Sequence, residues 1–247
     1  MTNRFFVDRT ISHWDSMGAL LSGDEAHHFC KVLRGKEGDS LVLFDGTGTY
    51  AHGIAEAIQK EGVRIRITET FADDVESSLR LTVAAALPKG DRQRFLIEKL
   101  AELGVARFIP VLMERSVARA NDAVIQRLRR YVIESAKQCG RNVLMEITDE
   151  VPIKKLDGLV TVETTTKFLL HPLALGNVGQ QTPRQVVTRL PLSDRIVILV
   201  GPEGSFTEQE VESVIREGFK PLDWGKRILR TETACIAAAA LFLAVAG

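Results

Sequence analysis

The sequence predicts an α/β protein in which a small β-rich unit precedes a larger domain with a mainly parallel sheet. Two observations support this prediction. Up to about residue 72, strand-like segments surround a turn rich in Gly and Asp, whereas from Leu79 onward apolar strand-like runs alternate with helical patterns. The second pattern is typical of βα units, in which each helix returns the chain so that successive strands run parallel.

The β-rich part contains three clear strand segments. Ser40 to Phe44 is followed by the turn Asp45-Gly46-Thr47-Gly48 and a returning strand from Thr49 to Ile58. Val63 to Thr68 alternates apolar and polar side chains, as a half-buried strand does. Ser22 to Glu25 can begin a short helix that runs to Val32. The polar stretch 72–78 reads as a linker, so we expect one domain over residues 1–72 and a second over 73–247.

The second part alternates strands and helices throughout. Strands are predicted at 81–87, 108–113, 143–147, 167–171, 195–200 and 219–224. Gly104 ends the helix that follows Lys89-Gly90-Asp91, and Asn121 caps a helix over 123–139. Thr207 and Glu210 have the spacing of a capping box. The last segment, Ala234 to Ala246, is apolar almost all round, which predicts a buried helix.

Composition restricts the partners and the compartment. Of the 247 residues 45% are hydrophobic and 26% are charged, and the formal net charge is zero. Lys89 to Arg141 nevertheless holds twelve basic against six acidic residues, so local patches can bind RNA phosphates. Solvent-exposed helix faces that do not bind RNA would explain the same excess of basic residues. Three scattered cysteines and the lack of a signal-peptide pattern or a membrane-spanning run predict a cytoplasmic protein without disulfides.

Two loops near the end of the chain carry the strongest functional signal. Gly201-Pro202-Glu203-Gly204-Ser205-Phe206 follows the apolar run 196–200, and Lys226 to Ala234 links the last strand to the last helix. Ligands of open α/β sheets bind where such loops meet, at the carboxyl ends of strands. Alone, the first loop reads as an ordinary βα turn and the second as a basic loop before a core helix. Together they predict a ligand site.

Several familiar sites are missing from the sequence. There is no G-x-G-x-x-G after the first strand of the α/β part, no Walker motif and no G-x-S-x-G elbow. The histidines and cysteines do not have the spacing of metal ligands, so we expect no metal.

Several short segments occur in a characteristic order along the chain. Those of the first part are Arg4-Phe5-Phe6 and the run from His28 to Arg34. Those of the second part are Ala86 to Arg92, Glu98 to Val105, Glu114-Arg115-Ser116, Gln138 to Arg141, Leu169 to Pro172, Gly201 to Phe206 and Arg227 to Ala234. In identity and order these segments resemble those of the 16S ribosomal RNA (uridine-N3) methyltransferase family of the SPOUT trefoil-knot superfamily.

This resemblance implies a PUA-like RNA-binding domain followed by a methyltransferase domain with a trefoil knot. It also implies S-adenosylmethionine as cofactor and 16S ribosomal RNA, within the small ribosomal subunit, as partner. Family members are homodimers whose interface includes the final helix, although a core helix would explain its apolar sequence equally well. Lys137 and Trp224 depart from the family pattern: an acidic residue usually precedes Gln138, and a small aliphatic residue usually precedes Gly225.

Carried onto this sequence, the resemblance assigns three sets of residues. The cofactor shell is expected to comprise Leu170, His171, Gly201, Glu203, Gly204, Leu222, Gly225, Ile228, Leu229, Thr231 and Ala234. The RNA contacts are expected at Arg4, Lys31, Arg34, Lys89, Arg92 and Arg141. For catalysis, Arg230 or Arg115 would stabilise charge on the deprotonated uridine and Glu114 would accept its proton, unless Glu114 only forms a surface ion pair.

Two other functions stay open at this stage. The chain could be a non-enzymatic RNA-binding or ribosome-assembly protein, which would bind RNA without the cofactor. Alternatively, it could methylate a different RNA atom or a transfer RNA. The match of the N-terminal β-rich unit to the ribosomal family favours the ribosomal assignment.

Overall fold

The computed structural model describes residues 3–10, 12, 14–72, 76–160, 165–171, 195–225 and 227–246. The chain divides into two compact units. The first comprises Met1–Glu76 with Ile133–Leu144, and the second comprises Ser77–Val132 with Met145–Gly247. The linker predicted at 72–78 falls at this division, although residues 73–75 lie outside the described part, and the domain limits at 72 and 73 remain a prediction. No helix in the described ranges is long and apolar enough to cross a membrane.

The first unit contains a five-stranded sheet with the order β1-β3-β4-β5-β2. Its strands are β1 (Arg4–Phe6), β2 (Gly18–Leu21), β3 (Ser40–Phe44), β4 (Thr49–Gln59) and β5 (Gly62–Ala72). The pair β1–β3 is parallel and the other pairs are antiparallel. Alternate strand side chains, including Phe5, Leu43 and Ile65, point inward and form the core together with Phe29, which lies outside the strands.

Residues 133–144 complete the first unit through buried polar contacts. Arg141 is 5% exposed, and its guanidinium donates to both carboxylate oxygens of Glu76 at 2.8 and 2.5 Å. Lys137 Nζ lies 2.9 Å from Glu25 Oε1 and is also buried. Desolvation by burial raises the pKa of Glu25 despite this pairing. A buried charge is costly unless it is paired, so these two pairs hold the segment in the unit.

The second unit contains an all-parallel sheet with the order β12-β10-β11-β6-β7-β8, with β9 also paired to β7. Its strands are β6 (Arg80–Ala85), β7 (Arg107–Leu112), β8 (Glu146–Ile147), β9 (Val151–Pro152), β10 (Thr165–Leu170), β11 (Arg195–Val200) and β12 (Lys220–Leu222). The three strands β10, β11 and β12 therefore lie side by side and end at the same edge.

The second unit and the first together contain six α-helices in the described ranges, and three of their ends form where local chemistry predicts. They are α1 (Gly23–His27), α2 (Arg92–Leu103), α3 (Asp122–Cys139), α4 (Asp157–Val160), α5 (Glu208–Arg216) and α6 (Thr231–Ala246). Gly104 ends α2 at φ +94°, and Asn121 Oδ1 accepts from Val124 N at 3.0 Å. Both hydrogen bonds of the Thr207–Glu210 capping box are present. These caps and the predicted α/β class with a β-rich first unit are confirmed.

The structure corrects three details of the predicted elements. The helix expected to run from Ser22 to Val32 is α1 followed by a π-helical turn, His28–Val32. The strand expected at 143–147 is only Glu146–Ile147, because Val143 bridges to Gly46 in the first unit. The last predicted strand, 219–224, shortens to Lys220–Leu222, and Trp224 lies in the loop that follows it.

Candidate active site

A cavity lies at the carboxyl ends of β10, β11 and β12, with about 600 Å³ of space between its walls when its solvent-filled mouth is included. Leu170 and Val200 are the last residues of β10 and β11, and both line it. The loop after β11 and the loop before α6 form the remaining walls. The lining residues are Leu170, His171, Val200, Gly201, Pro202, Glu203, Ser205, Phe206, Trp224, Gly225, Arg227, Ile228, Leu229, Thr231 and Ala234. Ligands of open parallel sheets bind at this edge.

The loop after β11 is a tight turn that packs closely on its neighbours. Ser205 has φ +63°, and its N–H donates to the Pro202 carbonyl at 2.9 Å. A Cβ at Gly201 would lie 2.7 Å from the ring of Phe206, so no larger residue fits without displacing that ring. The exposed Arg115 donates from Nη1 to the Gly204 carbonyl at 2.9 Å and supports the loop from outside.

A hydrogen bond joins the two cavity loops. Thr231 is 4% exposed and donates from Oγ1 to the carbonyl of Gly201 at 2.9 Å. Thr231 is the first residue of α6. Its hydroxyl therefore fixes the start of α6 against the end of β11.

Two carboxylates and one guanidinium form a charged cluster beside the cavity. Arg92 forms a close ion pair with Glu203, and its Nη1 also lies 3.8 Å from Glu232 Oε1. Glu232 is 5% exposed, and its Oε2 has no hydrogen-bond partner within the described ranges. Since one cation faces two carboxylates, the cluster can accept a further hydrogen-bond donor from a ligand.

Comparison with known proteins identifies the family of this chain. A family model described as an RNA methyltransferase domain matches residues 75–243, and a second, an RNA methyltransferase PUA domain, matches residues 21–68. The chain belongs to this RNA methyltransferase family. The family membership and the fold class that the sequence predicted by resemblance are thereby confirmed.

Individual members of the RNA methyltransferase family are similar over most of their length. Ribosomal RNA small subunit methyltransferase E of Bacillus subtilis is 29% identical over 94% of this chain and 92% of its own. The Synechocystis protein of the same name is 32% identical over 87% of this chain and 69% of its own.

Two solved structures are close in both sequence and fold. The Legionella pneumophila methyltransferase in complex with S-adenosylmethionine has a TM-score of 0.85 at 28% identity and covers 99% of this chain and 98% of its own. The Neisseria gonorrhoeae ribosomal RNA small subunit methyltransferase E bound to S-adenosylmethionine has a TM-score of 0.82 at 30% identity, with 97% and 96% covered.

Within the methyltransferase domain, the structure brings most of the predicted cofactor residues together. All of them except Gly204 and Leu222 line the cavity. Gly204 lies in the same loop against Arg115, and Leu222 is fully buried at the end of β12. The cavity also includes six residues outside the predicted cofactor set, namely Val200, Pro202, Ser205, Phe206, Trp224 and Arg227. Each of them lies within two positions of a residue in that set, so the continuity of the strand ends and loops could have identified them.

The three candidate catalytic residues have different surroundings. Arg230 is exposed and lies between the cavity residues Leu229 and Thr231. Arg115 already donates to Gly204, whereas Glu114 is exposed and donates from its backbone N–H to Glu210 Oε1 at 2.8 Å. Among the described residues, the Glu114 side chain has no ion-pair partner. Lys226, the other basic residue expected near Arg227, lies outside the described residues.

The predicted RNA contacts fall into two groups: residues with exposed side chains, and residues already engaged in hydrogen bonds or ion pairs within the protein. Lys31, Arg34 and Lys89 are exposed. The other three are engaged within the protein: Arg4 donates to Asn142 Oδ1 at 2.5 Å, Arg92 belongs to the charged cluster, and Arg141 is buried against Glu76. An RNA contact by any of the engaged three would have to compete with these bonds.

Proposed function

We propose that this protein transfers a methyl group from S-adenosylmethionine to N3 of a specific uridine in 16S ribosomal RNA of the small ribosomal subunit. The observation that carries the proposal is the cavity at the strand ends, closed by the Thr231–Gly201 hydrogen bond between its two loops. Relatives named ribosomal RNA small subunit methyltransferase E and neighbours that hold S-adenosylmethionine support it.

The cavity fits the cofactor chemically. S-adenosylmethionine joins a flat purine to polar ribose and amino-acid groups, and when bound it supplies an electrophilic methyl group on its sulfonium. Leu170, Trp224 and Leu229 offer apolar surface for the purine. Glu203 offers carboxylate oxygens, and the backbone of the Gly201 to Ser205 turn offers donors and acceptors, for the polar groups. Gly204 and Leu222, which do not line the cavity, would shape it from behind.

Methylation of the acceptor uridine requires stabilisation of negative charge on the base. N3 of uridine carries a proton, and its removal leaves negative charge spread over the ring and its carbonyl oxygens. A cation aimed at that charge stabilises the transition state. We assign this role to Arg230 because it is exposed next to two cavity residues, with Arg115 as the second candidate. Glu114, with an exposed side chain, is the proposed proton acceptor.

The RNA must present this base unpaired, because N3 lies on the Watson–Crick edge. We propose that the first domain, residues 1–72, binds the RNA and that residues 73–247 perform the transfer. The exposed Lys31, Arg34 and Lys89 are the leading phosphate contacts, followed by Arg4, Arg92 and Arg141. A cytoplasmic homodimer formed through α6 completes the proposal; Val245 on that helix is 47% exposed, which leaves apolar surface for a second copy.

Two measurements on the purified protein test this function. Calorimetry with S-adenosylmethionine should show saturable binding, and labelled methyl groups should enter small-subunit RNA, supplied either naked or in assembled subunits. RNA binding without cofactor binding would instead support a non-enzymatic RNA-binding protein. Transfer to transfer RNA but not to small-subunit RNA would support a methyltransferase with another substrate.

A further inference from the structure

Trp224 provides an aromatic wall of the cavity. It follows β12 directly, is partly exposed and lines the cavity together with Leu170 and Leu229. Among the described residues, no ring stacking or cation–π contact involves Trp224. By contrast, Phe168 stacks on Phe242 at 5.4 Å and Phe206 contacts His171 at 5.9 Å.

A local turn fixes the backbone at Trp224. Asp223 Oδ1 accepts from the N–H of Gly225 at 2.8 Å, which closes a turn around Trp224. Gly225 has φ +92°, a conformation that glycine adopts without strain, and nothing lies within 4 Å of where its Cβ would be. This turn places Trp224 at the cavity wall, where its side chain lines the cavity.

The cavity is lined by both polar and apolar side chains. Glu203, Ser205 and Thr231 are polar, whereas Leu170, Trp224, Ile228 and Leu229 are apolar. The large flat surface of the Trp224 indole suits a flat aromatic ligand group, because stacking adds favourable energy to burial alone. A ligand without such a group would leave the indole partly exposed to water.

We propose that Trp224 stacks on the purine base of the cofactor and sets the affinity for adenine-bearing ligands. The proposal rests on the proposed function, because it takes S-adenosylmethionine as the ligand. It assigns to one side chain of this protein a positioning role in the cavity. The demethylated product, S-adenosylhomocysteine, carries the same base and should be held by the same contact, whereas methionine lacks it.

Tryptophan fluorescence tests the stacking directly, because the chain has only two tryptophans. Trp14 is 8% exposed and belongs to the core of the first unit. Addition of S-adenosylhomocysteine to the wild-type protein should quench the emission of Trp224 saturably, and methionine should not. Trp14→Phe should keep the quenching and Trp224→Leu should lose it, since the second variant retains apolar bulk without the aromatic face.

Calorimetry provides the second readout and separates the two proposals. We expect Trp224→Leu to weaken S-adenosylhomocysteine binding about tenfold, and Trp224→Tyr to stay within about threefold of the wild type. Unchanged affinity in Trp224→Leu, or wild-type binding without quenching, would overturn the stacking role and leave the methyltransferase proposal standing. If wild-type protein bound neither S-adenosylmethionine nor S-adenosylhomocysteine, both proposals would fall.

Discussion

The hydroxyl of Thr231 donates to the carbonyl of Gly201 at 2.9 Å, so the start of α6 is fastened to the end of β11. These residues are thirty positions apart in the chain, yet they are adjacent on the cavity wall. This side-chain hydrogen bond holds the two cavity loops in register, together with the Arg92 ion pairs to Glu203 and Glu232 and the packing of Phe206 beneath Gly201.

Removal of the Thr231 hydroxyl should loosen the cavity. Thr231→Val keeps the shape but leaves the Gly201 carbonyl without this donor, which we expect to cost about 1 kcal/mol in the free energy of unfolding. If the free energy of cofactor binding falls by the same amount, the Kd for S-adenosylmethionine rises about fivefold. Denaturant unfolding and calorimetry measure both quantities. Thr231→Ser retains the hydroxyl and should behave like the wild type; equal defects in both variants would contradict this account.

A methyl group at Gly201 should disrupt the cavity. The new Cβ would lie 2.7 Å from the Phe206 ring, and such overpacking costs about 1–3 kcal/mol. We expect Gly201→Ala to weaken cofactor binding at least as strongly as Thr231→Val. The matched control is Gly158→Ala in α4, where nothing lies within 4 Å of the added Cβ and binding should not change. Wild-type affinity in Gly201→Ala would contradict this prediction and show that the Phe206 ring can move aside without weakening cofactor binding.

The two candidate catalytic arginines should differ in the kinetic parameter that they change. Arg230→Ala should lower kcat about 100-fold with little change in cofactor Kd, because its proposed contact forms only as charge develops. Arg115→Ala should mainly raise the KM for S-adenosylmethionine, because Arg115 supports the Gly204 carbonyl. Steady-state kinetics with saturating RNA separates these effects. Full turnover by Arg230→Ala at saturating cofactor and RNA would remove its assigned role.

Asp45 should make the stability of the protein depend on pH. Burial alone would raise the pKa of this carboxyl, but hydrogen bonds from Thr47, Arg9 and Thr49 together lower it below its ordinary 3.8. A lowered folded-state pKa contributes stability that is present above pH 3.8 and is lost as the pH falls through the folded value. The loss of unfolding free energy caused by Asp45→Asn should therefore be largest near neutral pH and shrink below pH 4. A difference independent of pH, measured by urea unfolding, would contradict this.

Local patterns predicted much of the fold correctly. Gly104 ends α2 because it adopts a left-handed conformation, and the Thr207–Glu210 capping box forms because both partners are three residues apart. The loops at the strand ends were also predictable, since parallel strands deliver their carboxyl ends to one edge. Each of these features depends either on residues that are close in sequence or on the parallel direction of the strands.

Contacts between distant residues were not predictable. Arg141 was expected to contact RNA, yet its guanidinium lies buried against Glu76, 65 positions away. Lys137 was noted as a departure from the family pattern, and it pairs with Glu25, 112 positions away. A sequence shows the charge of each residue but not its partner, so a buried ion pair and an exposed phosphate contact look alike.

The most direct test of the central claim is nucleoside mass spectrometry of small-subunit RNA after incubation with the protein and S-adenosylmethionine. The RNA is unmodified at the start, and parallel reactions use Arg230→Ala and Gly201→Ala. The account predicts new N3-methyluridine with the wild-type protein and strongly reduced amounts with both variants. A different methylated nucleoside, or no methylation by protein that demonstrably binds the cofactor and the RNA, would contradict it.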